Sequence, residues 1–186
     1  MRKILKSFKD SSKELKSVKC ITITAMFGAI SIVLNSFTTV MVTKFLKIGF
    51  FSFLPSRLVS FLFGPLVGGL FGAAMDILNF IVKPTGTFHP GFTFNALISG
   101  IIYGIFLYKK PVSITRILAA NIVQMIIVSF ILGSYWLTHL TGMTFLQLLP
   151  PRALKELIML PFETFLFFLI IKGVKASGVL KLVYGK

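Results

Sequence analysis

Six long apolar stretches dominate the sequence and limit what the chain can fold into. They lie roughly at 18–37, 50–64, 66–82, 92–108, 114–138 and 153–171. Each is close to the ~20 apolar residues that a helix needs to cross a hydrocarbon layer about 30 Å thick. A soluble domain of 186 residues has too little interior for a chain that is 55% hydrophobic. Because the sequence lacks the alternation of a membrane barrel, we predict an all-α integral membrane protein with a bundle of six transmembrane helices.

The division between the second and third stretches rests on one dipeptide. Gly64-Pro65 interrupts the apolar run, and Gly68, Gly69 and Gly72 follow closely. Residues 50–82 are therefore predicted to form either two helices or one broken helix. The other stretches are separated by clearer breaks, which are Lys44 with Lys47, Pro84-Thr85-Gly86, Lys109-Lys110-Pro111 and Pro150-Pro151.

Basic residues are concentrated at three places that six spans would put on the same side of the membrane. They are Arg2, Lys3, Lys6, Lys9, Lys13, Lys16 and Lys19 before the first span, Lys109, Lys110 and Arg116 near the fourth connection, and Lys172, Lys175, Lys181 and Lys186 at the end. The positive-inside rule makes that side cytoplasmic. The net charge of +15 therefore indicates membrane orientation, and no nucleic-acid partner is expected.

This orientation defines three expected parts of the chain. Residues 1–17 form a basic cytoplasmic tail, residues 18–172 form the membrane domain, and residues 173–186 form a cytoplasmic C-terminal tail. Within the first tail, residues 4–8 are expected to form either an amphipathic segment on the cytoplasmic surface or part of a flexible tail. The connections at 38–49, 83–91 and 139–152 then face outward.

Ionisable side chains inside the apolar stretches are few, and most belong to the last stretch. Arg152, Lys155, Glu156, Met159 and Glu163 are spaced by three, one, three and four residues. On a helix this spacing puts them in one stripe. The two basic residues could simply reach the outer headgroups, with Glu156 as their partner. However, Glu163 continues the stripe to a depth where a carboxylate facing lipid is very costly, so we favour an inward-facing stripe that binds a ligand.

Polar and aromatic residues are also concentrated in PTGTFHPGFTFN, residues 84–95, at the start of the fourth stretch. The candidate binding residues are His89, Phe92, Thr93, Phe94 and Asn95. Aromatic rings beside imidazole and amide groups suit a flat heteroaromatic ligand that stacks on its faces and hydrogen-bonds at its edges. An interfacial aromatic belt with a capped helix start explains any one of these residues equally well.

Two further features have both a structural and a functional interpretation. Arg57 and Asp76 lie in consecutive stretches, and we expect them to neutralise each other in preference to contacting a ligand. In the first stretch Ala25, Gly28 and Ala29 form a small-residue face that allows another helix to approach closely. That helix belongs either to this chain or to a partner protein.

Several functional classes lack their signature in the sequence. No G-x-x-x-x-G-K-[ST] loop is present, so the chain is not expected to hydrolyse nucleotide by that route. Two His and one Cys, far apart, predict neither a metal site nor a bound cofactor. No nucleophile–base arrangement or carboxylate pair indicates an enzyme.

The sequence resembles the substrate-binding (S) components of energy-coupling factor vitamin transporters, and among them the folate-specific subfamily. The resemblance is carried by LPSRLVSFLFGPLVGGLFGAAMDILNF (54–80), KPTGTFHPGFTFNALISGIIYG (83–104) and PRALKELIMLP (151–161). It implies a subunit of the bacterial cytoplasmic membrane that works with a membrane coupling protein and two cytoplasmic ATPases. It also implies that the first three helices dock on the coupling protein, and that the S component topples to carry its site inward.

The resemblance implies folate or a related pterin as the ligand. The two carboxylates of its glutamate tail would pair with Arg152 and Lys155, and its pterin would lie against Phe92 and Phe94, with an amide or carboxylate at its edge. Pantothenate and thiamine are the alternatives within the family. Pantothenate has no ring for the Phe cluster, and cationic thiamine does not suit an Arg/Lys pair. Outside it, the chain could be a membrane enzyme that uses Glu156 or Glu163 as a base, or an assembly subunit without a ligand.

Overall fold

The computed structural model describes residues 2–43, 46–49, 51–84 and 87–178. The helices are α1 (Arg2–Glu14), α2 (Val18–Thr38), α3 (Leu54–Phe63), α4 (Pro65–Val82), α5 (Pro90–Leu107), α6 (Ile114–Gln124), α7 (Gly133–Thr141) and α8 (Phe145–Ala176). A π-helical segment, Met125–Leu132, joins α6 to α7 without a break. Two short strands, β1 (Thr39–Thr43) and β2 (Leu46–Gly49), follow α2.

Five helical stretches in the described chain are long and apolar enough to cross a membrane. They are α2, α4, α5, the continuous run Ile114–Thr141 and α8. The predicted span at 50–64 contains only the ten residues of α3, which rise about 15 Å, half the hydrocarbon thickness. The helical membrane architecture is therefore confirmed, with five full-length candidate spans and one short apolar helix.

The turn at Gly64 decides between the two predictions for residues 50–82. Gly64 has φ +90°, outside the region that other residues favour, and Pro65 begins α4 directly after it. The chain reverses there, and α4 packs back on α3: a Cβ at residue 68 would lie 2.7 Å from Cβ of Ser60. Residues 54–82 are thus two packed helices.

A β-hairpin after α2 was not predicted from the sequence. Strands β1 and β2 pair antiparallel, with Thr39 opposite Gly49 and Met41 opposite Lys47. The segment TVMVT is rich in β-branched residues, which favour extended backbone. The all-α prediction therefore holds for the membrane-crossing elements, and the connection after α2 adds a short β-hairpin to them.

Helix α8 begins well before the predicted start at residue 153. Thr144 and Gln147 form a reciprocal capping box, which starts the helix at Phe145, and Pro150 and Pro151 lie inside it. The two prolines lack the amide donors that would bond two backbone carbonyls four residues earlier. Those carbonyls lie near the start of the helix, where Leu146 is 77% exposed. The prediction of a break at Pro150-Pro151 is wrong for that reason.

The centre of the bundle is closed by direct backbone contact between α4 and α5. A Cβ at residue 100 would lie 2.2 Å from the carbonyl oxygen of Gly68, and one at residue 72 would lie 2.6 Å from that of Ala96. Only glycine allows helices to approach this closely. Around this contact the core includes Val59, Phe63, Tyr103, Phe167 and Ile171, all buried.

Candidate functional site

The predicted stripe on α8 faces the interior of the bundle. Met159 is buried, and the side chains of Glu156 and Glu163 are only 15% and 16% exposed. On the opposite face Leu157 and Ile158 are 72% and 63% exposed, as expected for side chains that meet lipid. The spacing argument therefore identified the correct face of this helix.

Glu163 forms a buried ion pair with Arg57 of α3, through Nη2 and Oε2. The guanidinium lies between two aromatic rings, 4.1 Å from the centroid of Phe53 and 4.6 Å from that of Tyr103. The prediction that Arg57 pairs with Asp76 is wrong. Helical periodicity gives the face of a residue, and the pairing depends instead on α8 packing beside α3.

The Arg57–Glu163 pair leaves polar atoms without partners. Nη1 of Arg57 is buried and has no hydrogen-bond partner among the described residues. Oε1 of Glu163 likewise has no hydrogen bond in the described part of the chain. Nη1 of Arg57 is thus a buried donor that remains unsatisfied, which costs free energy until something bonds it.

A second polar group supports this pair and was missed from the sequence. The hydroxyl of Tyr103 donates to Asn121 Oδ1 at 2.7 Å, and Asn121 Nδ2 donates to Thr164 Oγ1 at 2.7 Å. These bonds join α5, α6 and α8 one residue away from Glu163. An asparagine in the middle of an apolar stretch was the available signal, since a polar group there needs partners.

Arg152 and Lys155 point to different partners. Arg152 Nη1 donates to Ser134 Oγ at 3.5 Å, and its Nη2 lies where a Cβ at residue 133 would be 2.7 Å away. Gly133 therefore makes room for the guanidinium. Lys155 Nζ lies 3.7 Å from Glu156 Oε1, which also accepts from Ser129 at 2.9 Å. The two basic side chains therefore have different nearest partners within the bundle.

The π-helical segment explains why these hydroxyl groups meet α8. Ser129 lies within it and Ser134 follows it, and both are buried. A π-helix carries more residues per turn than an α-helix and is frequent at functional sites. Here Ser129 of this segment and Ser134 of α7, which belong to one continuous span, both bond side chains of the charged stripe.

The residues at the start of α5 form an aromatic cluster completed by Trp136. His89 caps the helix, since its Nδ1 accepts from the amide of Gly91 at 3.1 Å, and its ring lies 5.3 Å from Trp136 and 6.1 Å from Phe92. Trp136 Nε1 donates to Asn95 Oδ1 at 3.2 Å. Trp136 was missed because it lies on α7, far from residues 84–95 along the chain.

Thr93 and Phe94 lie at the margin of this cluster. Thr93 Oγ1 donates to Asp76 Oδ2 at 2.8 Å, so Asp76 pairs with the start of α5. Phe94 is 47% exposed and makes no ring contact within the described residues. The residues Thr85 and Gly86 of the predicted motif lie outside the described residues.

The charged stripe and the aromatic cluster lie on either side of α7. This helix packs against both α5 and α8, with Trp136 bonded to Asn95 and Ser134 bonded to Arg152. The two groups that the sequence indicated separately therefore form one candidate site. Among the described residues no three His, Cys, Asp or Glu side chains are arranged to hold a metal ion.

The small-residue face of α2 is divided between two surroundings. Ala25 and Ala29 are exposed, next to Met26 and Ile30, which are 62% and 46% exposed. Gly28 is buried, and a Cβ there would lie 3.4 Å from Sδ of Met75. Ala25 and Ala29 of the predicted partner face are thus exposed, whereas Gly28 packs inside the bundle.

The family is identified by comparison with known proteins. A family profile described as "ECF transporter, substrate-specific component" matches residues 19–182. This chain belongs to that family. The ECF substrate-specific components are parts of transporters, which disfavours the interpretation of Glu156 or Glu163 as the base of an enzyme.

Two relatives of this S component are named folate transporter FolT. The protein of Clostridium novyi (strain NT) is 35% identical over 96 residues, 52% of this chain and 56% of that protein. The protein of Leuconostoc mesenteroides subsp. mesenteroides is 29% identical over 118 residues, 60% of this chain and 64% of that protein. The alignments thus span between half and two thirds of the length of these relatives.

A solved structure extends the similarity over most of the S component. It is described as the crystal structure of FolT bound with folic acid, and it matches with a TM-score of 0.76 and 30% sequence identity. The match covers 83% of this chain and 93% of the other. The two chains therefore share their fold almost throughout.

Proposed function

We propose that this S component binds folate in the cell membrane and delivers it inward as part of an ECF-type importer. The observation that carries the proposal is the meeting of the α8 stripe with the aromatic cluster across α7, in a fold shared with FolT bound with folic acid. Folate has the same two chemistries, a flat heteroaromatic ring and a tail with two carboxylates.

The basic end of the site suits the glutamate tail. Arg152 makes one long hydrogen bond within the described chain, at 3.5 Å, so most of its donors remain for a ligand. Lys155 contributes a second positive charge on the same face of α8. Charge-assisted hydrogen bonds from both side chains to the carboxylates would be the strongest contacts of the site.

The aromatic end suits the pterin. His89, Phe92 and Trp136 provide rings for stacking, and Asn95 provides an amide, with Thr93 and Phe94 beside them. Glu156 and Glu163 each have a carboxylate oxygen that makes no hydrogen bond in the described part of the chain. Both can accept from the amino and ring N–H groups of a pterin edge.

ATP-driven transport would require partners, because the sequence has no nucleotide-binding loop of its own. We assign energy supply to a membrane coupling protein with two cytoplasmic ATPases, and their contact to the exposed Ala25 and Ala29 of α2. The chain would cross the membrane with both termini in the cytoplasm, so that the α8 stripe opens outward.

Binding by the purified chain in detergent tests the proposal. Trp136 is the single Trp of the chain, and folic acid stacked beside it should quench its fluorescence with a saturable, tight binding curve. Pantothenate and thiamine should not compete. Absence of folate binding, or displacement by one of these vitamins at similar concentration, would overturn the folate assignment.

A further inference from the structure

Helix α1 is fixed to the bundle by one buried hydroxyl group. Ser11 is fully buried, and its Oγ donates to the carbonyl of Phe63 at 2.7 Å. The same oxygen accepts from the amides of Leu66 and Val67 at 3.1 and 3.2 Å. It thus caps the end of α3 and the start of α4 together. The basic N-terminal segment is therefore a helix that packs against the ends of the membrane helices.

The acidic residues of α1 face the bundle. Asp10 lies 3.6 Å from Nζ of Lys109, and Glu14 Oε1 accepts from the hydroxyl of Tyr108 at 3.4 Å. Burial, and then the charge of Glu14, raise the pKa of the Tyr108 phenol, so it stays protonated and donates. Both negative charges of the helix are therefore used in holding it to the bundle.

The lysines of α1 face away from these contacts. Lys6, Lys9 and Lys13 are spaced by three and four residues, which puts them in one stripe, and all three are exposed, as is Lys16 just after the helix. None of these four forms an ion pair within the described residues. Leu5, 66% exposed, lies one turn before Lys9 on the same side.

We infer that this lysine stripe, with Leu5 at its edge, binds anionic lipid headgroups beside the bundle. Helix α1 lies at the ends of α3, α4 and α5, which is the depth of the membrane surface for helices that cross it. The exposed lysines of α1 lie on the side away from its two acidic residues, and the exposed Leu5 lies next to these lysines. Basic residues next to a transmembrane helix attract anionic lipid by about 1 kcal/mol each, and apolar side chains at their edge enter the headgroup layer.

An environment-sensitive fluorophore tests this in the full chain. It is attached to Leu5→Cys in a Cys20→Ala background, because Cys20 is the only native cysteine. The protein is reconstituted in nanodiscs of phosphatidylcholine alone or with phosphatidylglycerol. We expect a blue shift of the emission only with phosphatidylglycerol, and its reversal by salt, because exposed charges are screened.

The variant Lys9→Gln/Lys13→Gln should weaken the response to phosphatidylglycerol. At about 1 kcal/mol per lysine, with 1.4 kcal/mol for each factor of ten, the apparent association constant should fall roughly thirty-fold. The matched control is Lys172→Gln/Lys175→Gln, which removes the same charge from two exposed positions at the end of α8 and should change little.

Two results would overturn the inference. One is equal emission in neutral and anionic nanodiscs, which would show that the lysines do not bind anionic lipid and would favour an acidic protein surface as their partner. The other is an equal loss in the control variant, which would make the effect one of net charge. Neither result bears on folate binding, which the Trp136 titration measures separately.

Discussion

Arg152 has both space and hydrogen-bond donors for an external anion. Gly133 leaves space beside its guanidinium, and Ser134 accepts only one long hydrogen bond from it. Glu156, one turn further along α8, is already bonded by Ser129. Most donors of Arg152 are therefore available to a carboxylate, and a guanidinium can bind one through two parallel bonds.

Replacing Arg152 should therefore weaken folate binding selectively. A hydrogen bond to a charged group contributes about 1.5–3 kcal/mol, so Arg152→Ala should raise the Kd for folate roughly ten- to a hundred-fold. Arg152→Lys should recover part of this loss, because a point charge cannot reproduce the planar fork. Isothermal titration in detergent measures both values.

The control for Arg152 is a ligand without the glutamate tail. Pteroate should bind weakly and should respond little to either substitution, whereas Arg116→Ala, far from α8's stripe, should leave folate binding unchanged. If pteroate loses as much affinity as folate does, Arg152 is not bound to the tail.

The buried Arg57–Glu163 pair leads to a prediction about stability. Removing one member leaves an uncompensated charge in the interior, at a cost of about 3–5 kcal/mol, whereas replacing both by apolar residues is often nearly neutral. Arg57→Met should therefore lower the thermal unfolding temperature in detergent far more than Arg57→Met/Glu163→Met. Equal destabilisation by the two variants would show that the ion pair itself holds α3 to α8.

At the scale of elements, the face of α2 separates partner contact from folding. Ala29→Leu adds bulk to an exposed position, so uptake by cells that express a complete ECF system should fail while folate binding by the isolated chain persists. Ile30→Trp, which is exposed and lies about 100° further round the same helix from Ala29, is the control and should preserve uptake. Loss of binding together with uptake in Ala29→Leu would mean that this face packs within the chain.

The sequence predicted elements well where a local signal decides them. Apolar length located the spans, and the spacing of Arg152, Glu156 and Glu163 gave the inward face of α8. It predicted poorly where two local signals compete. Pro150-Pro151 indicated a break, but the capping box at Thr144 starts the helix earlier. In the segment after α2, Lys44 and Lys47 indicated a loop, although TVMVT favours a strand.

Contacts between distant segments could not be predicted at all. The partner of Arg57 is 106 residues away along the chain. The partner of Asn95 is Trp136, on a helix in which the charge pattern indicated no candidate site residue. Ser11 likewise carried no sign that it would bond the turn at Gly64. Each of these depends on which helices become neighbours, and periodicity contains no information on that choice.

For the whole molecule, the proposed division of labour predicts binding without pumping. The purified chain in liposomes should bind folate and should not accumulate it, with or without a proton or sodium gradient. Accumulation driven by either gradient would contradict the role of an S component that depends on separate ATPases. Radiolabelled folate and a filter assay distinguish bound from enclosed vitamin, since bound vitamin saturates at one ligand per chain.

The glycine contact between α4 and α5 has a mechanical consequence. Two helices that touch through their backbones cannot slide past each other without losing that contact, so they form a stiff half of the molecule. The aromatic cluster belongs to that half through His89 and Asn95, whereas the charged stripe belongs to α8, which side-chain bonds such as Arg57–Glu163 and Asn121–Thr164 connect to the bundle. A ligand that reaches from one to the other would act as a strut, and its length would set how far the two halves stand apart.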